Sequence, residues 1–319
     1  MSEVKNISVA ADDDDIRLDR WFKRHYPQIS HGQLEKWLRD KNVKVNAARA
    51  TSSTHVKQGD VIRIPPIKIT EQKKQSALNQ KDIDYIQSLV IYKDEDIIAI
   101  NKPAGLAVQG GSKTHRHVDG LLDGLKFGKE RPKLVHRLDK ETSGVLVLAR
   151  NAKTAVWLSE AFKTKAIRKV YWAFVMGCPE KMSGKVDAPL LKKNGKNGSE
   201  SVCVDYDAGQ KAESLYNVVD TTGEVSWLEM MPLTGRTHQL RVHCNHVGVY
   251  IIADEKYGQK DEFSDKLPHM CLHARAIKIK RKNQPDLIIF AEIPEYLKKH
   301  FSFFDFGARS KKDTFTAFE

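Results

Sequence analysis

The run His136-Arg137-Leu138-Asp139-Lys140-Glu141-Thr142-Ser143-Gly144 sets one carboxylate, Asp139, beside a guanidinium, and then passes through small polar residues to a glycine. Apolar residues flank it on both sides, Leu134-Val135 before and Val145-Leu146-Val147-Leu148-Ala149 after. A short polar interruption between two apolar runs is how a rigid scaffold presents a side chain into a cleft. A carboxylate presented in this way can attack an electrophile or take a proton. The same residues could equally form an exposed loop with a salt bridge, and the run alone leaves both readings open.

A second group of polar residues stands in Pro232-Leu233-Thr234-Gly235-Arg236-Thr237-His238-Gln239-Leu240-Arg241-Val242-His243. Thr234 and Gly235 read as a turn, after which Leu240, His243, Cys244 and Val247 share one helical face. His238, His243, Cys244 and His246 invite a zinc reading. No carboxylate or second cysteine is spaced to complete a tetrahedral site, so no metal is expected. Three further stretches are punctuated in the same way. Asn101-Lys102-Pro103-Ala104-Gly105-Leu106-Ala107-Val108 turns at Pro-Ala-Gly after a strand, and Ala253-Asp254-Glu255-Lys256-Tyr257-Gly258 and Leu272-His273-Ala274 follow later. Lys169-Val170-Tyr171-Trp172-Ala173-Phe174-Val175-Met176-Gly177 alternates like a strand, where a tyrosine is by itself a packing residue with its hydroxyl at the edge.

The elements that must hold these groups divide the chain. Residues 1–15 read as a tail and 16–66 as a small module. In that module Leu18, Trp21 and Phe22 recur at helical spacing, and Ser30 with Gln33 forms a capping box ahead of Leu34, Trp37 and Leu38. Val43-Lys44-Val45-Asn46 and Val61-Ile62-Arg63-Ile64 follow as strands, the second closed by Pro65-Pro66. Eleven basic against four acidic residues leave this segment at +7, over half of the surplus of the whole chain. Residues 67–87 are a polar linker by composition. From 88 to 306, apolar strands joined by short turns, with a minority of helices, indicate an α+β domain built on a largely antiparallel mixed sheet. Residues 307–319 form a C-terminal tail.

Composition narrows the partners. The 319 residues carry 53 Lys and Arg against 41 Asp and Glu, a net +12 that favours a polyanion. No apolar run approaches the ~20 residues of a membrane span, and Met1 to Asn6 lack an apolar signal core. The four cysteines, Cys178, Cys203, Cys244 and Cys271, are scattered and form no C-x-x-C pair, as expected of reduced thiols in a cytoplasmic protein.

The two polar signatures, the Asn101–Val108 turn, the Lys169–Gly177 strand and the two later motifs together resemble the RluA-type pseudouridine synthases, from about residue 16 to 295. Gln109-Gly110-Gly111-Ser112 is most similar to the branch that acts on large-subunit ribosomal RNA. The resemblance implies a pseudouridine synthase fold with a central RNA-binding cleft and an enzyme that isomerises uridine in RNA without cofactor or metal. Asp139 would be the nucleophile or, in the alternative mechanism, the base that takes a ribose proton. Arg137 would fill the space vacated by a flipped-out uridine, Tyr171 would stack on the uracil, Arg236 would pair with Asp139, and Leu272 would wall the pocket. Residues 16–66 resemble the RNA-binding module shared with ribosomal protein S-four, which would grip phosphates and shape. The expected partner is structured RNA, large-subunit ribosomal RNA or an assembly intermediate, bound by a monomer without any membrane. Two other functions fit the residues: an N-glycosidase that releases uracil, for which the nearest second acid is Glu141, and an RNA-binding ribosome-assembly factor without catalysis.

Overall fold

Leu18, Trp21 and Phe22 return to one side of helix α1 (Leu18–His25), and all three are buried. The computed structural model in which they do so describes residues 4–67, 78–111, 114, 116–164, 166–194, 200–261, 263, 267–282, 284–307 and 314–318. By its internal contacts the chain separates into Met1–Ala77 and Leu78–Glu319. In the first unit, α2 (His31–Arg39) begins where the Ser30 hydroxyl accepts the Gln33 N–H at 3.2 Å, which satisfies one of the orphan donors of a helix start. Leu34 and Leu38 face inward from α2 onto Trp21, Phe22, Val43, Val56, Ile62 and Ile64.

A four-stranded sheet in the order Lys5–Ser8, Val61–Ile64, Lys44–Val45, Ala48–Arg49 completes this unit. Residues 4–15 therefore belong to the fold and are not a free tail. Lys5–Ser8 pairs antiparallel with Val61–Ile64, Val9 is buried, and the buried Asp13 carboxylate takes Arg24 and His25 from α1. Short hydrophobic alternation in so few residues gives a weak sequence signal, and only the edge of a neighbouring strand makes it a strand.

The second unit starts earlier than composition indicates. α3 (Gln80–Ser88), inside the stretch read as linker, is capped by the Asn79 side chain on the Asp82 N–H and buries Ile86 in the large core. Among the described residues, the main sheet has eleven strands. Its principal path runs Ser183–Asp187, Glu213–Thr221, Val225–Pro232, Ile167–Met176, Leu272–Ile279, Ser143–Ala149, Ile97–Lys102, Val90–Lys93. Along it every pairing is antiparallel but one: Ser143 and Gly144 run parallel to His273 and Ala274. α4 (Val118–Leu121) and α5 (Ala152–Lys163) lie between strands, and α6 (Gln239–His246) follows the strand Val225–Pro232. The last helix, α7 (Glu295–Phe303), sets Phe301 edge-on against Trp227 and Phe174 of the sheet. The C-terminal residues also pack, with Thr314 and Phe315 buried and the Arg168 side chain donating to the Phe318 carbonyl at 3.3 Å.

Two local devices bring the polar loops together. Gly144 has φ +109°, and a Cβ built there would lie 2.2 Å from the Ala274 carbonyl oxygen, so only glycine lets the two strands approach this closely. Lys102, fully buried, donates its three ammonium protons to the carbonyls of Pro103 (2.9 Å), Leu106 (2.9 Å) and Lys140 (3.1 Å), which pins the Pro-Ala-Gly turn to the loop carrying Asp139. Lys102→Met keeps the volume and removes the donor from the Pro103 and Leu106 carbonyls, while the Lys140 carbonyl keeps the Gly105 N–H at 2.9 Å. At about 1 kcal/mol or more for each orphaned acceptor, urea unfolding of the full chain should show a loss on the order of 2 kcal/mol. An unchanged midpoint would mean that these two carbonyls find other donors.

Candidate active site

Asp139 lies in the irregular stretch just before the strand Ser143–Ala149, its side chain 20% exposed. It opens on a cavity of ≈170 Å³ lined by Arg137, Leu138, Thr142, Lys169, Tyr171, Leu272 and the segment from Thr234 to Arg241. Each comes from a different part of the sheet end. Tyr171 sits at a register shift in the strand Ile167–Met176, opposite Ala274 on one side and Met230 on the other. Leu272 begins the neighbouring strand and is buried. All five residues singled out from sequence, Arg137, Asp139, Tyr171, Arg236 and Leu272, thus border one cavity.

One expected pairing is different. Arg236 makes no ion pair with Asp139 among the described residues. It is exposed at the rim, and its Nε donates to the Lys211 carbonyl at 3.0 Å. The guanidinium that faces Asp139 is Arg241, whose Nη1 donates to Asp139 Oδ2 at 3.4 Å. The same guanidinium binds Asp254 with two short bonds, Nε to Oδ2 at 2.7 Å and Nη2 to Oδ1 at 2.6 Å. Both Arg241 and Asp254 are buried. The physical reason lies in the turn before α6. Buried Gln239 accepts from the Thr234 hydroxyl at 2.7 Å and the Arg236 N–H at 3.0 Å, and gives its amide protons to the Glu213 carbonyl and Ser214 Oγ. The turn is folded back on its own helix, which leaves Arg236 outside and aims the next arginine along the helix, Arg241, into the core.

Three further groups border Asp139 that sequence reading did not assign. His238, with φ 54° and ψ 19°, directly precedes α6; its Nε2 stands 3.9 Å from Asp139 Oδ2 and its Nδ1 2.7 Å from the Tyr257 hydroxyl. Tyr257 also lies under the Arg241 guanidinium, 4.9 Å from its ring centre. Lys169 lines the cavity, and burial pulls its ammonium down to about 8. Burial, with the Asp139 charge added, drives the Tyr171 phenol well above its ordinary value, so it enters any reaction as a neutral ring. His136 is not available to the site: its Nε2 accepts the Val147 N–H at 2.9 Å, and burial lowers it to about 3. His243 is also committed, to Ser214 Oγ and the Ala188 carbonyl.

Glu141, two residues from Asp139, belongs elsewhere. It pairs with His269 at 3.2 Å and faces an adjoining cleft with Lys140, Lys256 and Lys260. The Asp139 cavity therefore holds a single carboxylate at its wall, backed by a buried ion pair, with a phenol ring and a leucine opposite and arginines at the rim. That arrangement suits a planar, uncharged base held beside a carboxylate; it offers no second acid to position a hydrolytic water.

Known proteins share this architecture. The RNA pseudouridylate synthase family profile matches residues 96–246, and the S4 domain profile matches residues 16–62. Ribosomal large subunit pseudouridine synthase C of Rickettsia conorii is 39% identical over 276 residues, spanning 83% of this chain and 89% of that protein. The protein of the same name from Escherichia coli O6:H1 is 30% identical over 307 residues, 93% of this chain and 95% of its own. Among solved structures, human RNA pseudouridylate synthase domain containing 4 overlays 72% of this chain and 99% of its own with a TM-score of 0.62 and 26% identity. With identity at this level running through nearly the full length of its relatives, the chain belongs to the RNA pseudouridylate synthase family, with an S4 domain ahead of the catalytic unit.

Proposed function

We propose that this enzyme converts specific uridines of large-subunit ribosomal RNA to pseudouridine, acting as a cytoplasmic monomer on the RNA or on a ribosome-assembly intermediate. The observation that carries the reading is the lone Asp139 carboxylate, with Arg241 on Oδ2 and Tyr171 and Leu272 lining the same cavity. The substrate follows the relatives named for large-subunit ribosomal RNA. No helix among the described residues is long and apolar enough to cross a membrane.

In the reaction the N1–C1′ bond breaks, the uracil turns, and a C5–C1′ bond forms. The C5 proton leaves to solvent and N1 takes one up, so atoms and electrons balance without a redox partner. Asp139 either attacks C1′ or removes a ribose proton. A base within a duplex is out of reach, so the uridine is flipped out at a cost of a few kcal/mol. Arg137 at the exposed rim fills the gap it leaves, Tyr171 stacks on the extruded ring and Leu272 closes the apolar wall. The S4 unit contributes sequence-independent grip, since eleven basic against four acidic residues between Ile16 and Pro66 favour a polyanion.

Large-subunit ribosomal RNA tritiated at uracil C5 tests this directly. The wild-type protein should release tritium to water with no free uracil, while Asp139→Asn should release none and keep RNA affinity within a few fold. Free uracil would mean an N-glycosidase, and tight binding with no release by either protein would mean an assembly factor. Deleting residues 1–66 should weaken RNA binding and flatten its salt dependence, as fewer counterions are displaced. An equal salt slope for both proteins would remove the S4 unit from the grip.

A further inference from the structure

The tyrosine of Ala253–Gly258 and the histidine before α6 have no part in the scheme above, yet they meet beside the reactive carboxylate. Tyr257 Oη accepts the Val202 N–H at 2.9 Å and lies 2.7 Å from His238 Nδ1. A phenol carries one proton, and burial raises Tyr257 above its ordinary value, so the proton stays on the oxygen. With Val202 occupying one lone pair, that proton is directed to His238 Nδ1. Nδ1 is then an acceptor, which leaves the ring proton of a neutral imidazole on Nε2. Nε2 is the atom that faces Asp139 Oδ2 at 3.9 Å.

The imidazole stays neutral. Burial holds it below its usual range; Asp139 and Asp254 pull the other way, and the facing cations Arg241 and Lys256 reinforce burial. Its place is also conformationally strained: a histidine with φ 54° sits in the left-handed region, which disfavours an L residue. The surrounding contacts over-determine that backbone, because the ring is fixed by Tyr257 on one side and the chain enters α6 on the other. One turn supports the whole arrangement, as the N–H groups of Lys256 and Tyr257 both bind Asp254 Oδ1, the carboxylate that holds Arg241.

On the reading of Asp139 as the reacting carboxylate, we infer that His238 is a positioning residue: its Nε2–H, oriented by the Tyr257 hydroxyl, acts with Arg241 to hold Asp139 Oδ2, which leaves Oδ1 as the oxygen that meets the ribose. The 3.9 Å separation closes to a hydrogen bond when the carboxylate settles on the substrate, as such contacts tighten in the reacting complex. A carboxylate held by one oxygen presents the other in a fixed direction, and misplacement of a reacting atom by about 1 Å can cost roughly 10²-fold in rate.

The test is single-turnover tritium release from C5-tritiated large-subunit ribosomal RNA, with RNA affinity and melting temperature measured on the same proteins. His238→Ala should slow the chemical step by about 10²-fold with affinity within twofold. His238→Gln, whose amide nitrogen falls near Nε2, should recover most of the rate, whereas His238→Asn, whose amide falls near Nδ1, should not. Tyr257→Phe keeps the ring under Arg241 and removes the hydroxyl, so it should lower the rate in wild type and add no further loss in His238→Ala if the hydroxyl reaches Asp139 through the imidazole. His238→Ala within twofold of wild type, equal rates for the Gln and Asn variants, or additive losses from Tyr257→Phe would each overturn the assignment. If His238→Ala fails to fold, the Gln and Asn pair decides it. Asp139→Asn separates the two levels: full activity there sinks the functional reading as a whole, whereas an inactive Asp139→Asn beside a normal His238→Ala removes His238 alone.

Discussion

One guanidinium between two carboxylates organises the catalytic end of this molecule. Arg241 gives its two best hydrogen bonds to Asp254 and a longer one to Asp139. A buried ion pair recovers its desolvation only when the geometry is good and the remaining lone pairs are satisfied. Asp254 meets that condition, with bidentate arginine and two backbone N–H groups on its carboxylate. Asp139 does not: among the described residues its Oδ1 has no partner, and a fifth of its side chain is exposed. Arg241 is thus immobilised by Asp254 and, on the proposed function, orients the carboxylate that reacts. The pair also fixes the turn after Ile251 against α6, which is why the Asp254–Gly258 segment and the Thr234–His243 segment have to be read as one unit.

That arrangement depends on a sheet able to bring distant loops to one end. Antiparallel neighbours place successive loops at alternate ends, and the main path is antiparallel except between Ser143–Ala149 and Leu272–Ile279. The parallel contact puts the starts of those two strands side by side, so that the residues just before Ser143 and the first residue of the other strand, Leu272, open on the same cavity. Close approach there is possible because Gly144 has no Cβ to strike the Ala274 carbonyl. The buried Ser143 hydroxyl, 2.8 Å from His273 Nδ1, makes a further side-chain link across the same junction. A glycine that ends a polar motif therefore has an architectural role, setting the distance between the Asp139 loop and the pocket wall.

Several parts of this were legible in the sequence and others were not, for reasons that differ by residue. The helical spacing of Leu18, Trp21 and Phe22 and the Ser30 cap are local signals with local causes, and both elements form where the spacing places them. α3 was hidden because its polar residues, Gln80, Lys81 and Asp82, resemble a linker, and only Ile86 reports that a core lies beneath. Lys5–Ser8 was hidden because an edge strand is defined by its partner. The exchange of Arg236 for Arg241 is of another kind. Both arginines lie within the same short motif, and which one turns inward is decided by Gln239, a side chain that bonds back to Thr234 and Arg236 across the turn. Composition and periodicity hold no trace of that bond. His238 was read only as one of a group of possible metal ligands, since its link to Tyr257 spans nineteen residues and a strand pair.

The electrostatics of the cavity have to reconcile an anion with a polyanionic substrate. Asp139 and Asp254 together carry two negative charges against the single positive charge of Arg241, and the neutral imidazole of His238 adds none. An RNA strand approaching that local deficit would be repelled if nothing else bordered the site. Lys169 inside the cavity, mostly protonated at neutral pH with its value near 8, and Arg137 and Arg236 at the rim reverse the sign where phosphates would pass. On the proposed function, phosphates stay at the rim, where solvated cations neutralise them, while an uncharged uracil enters the part lined by Tyr171 and Leu272. The division follows from burial: guanidinium groups left exposed hold phosphates without paying full desolvation, while Arg241 inside is paired with Asp139 and Asp254. A neutral His238 fits the same constraint, since a second buried cation on Oδ2 would pair Asp139 too strongly to leave it reactive.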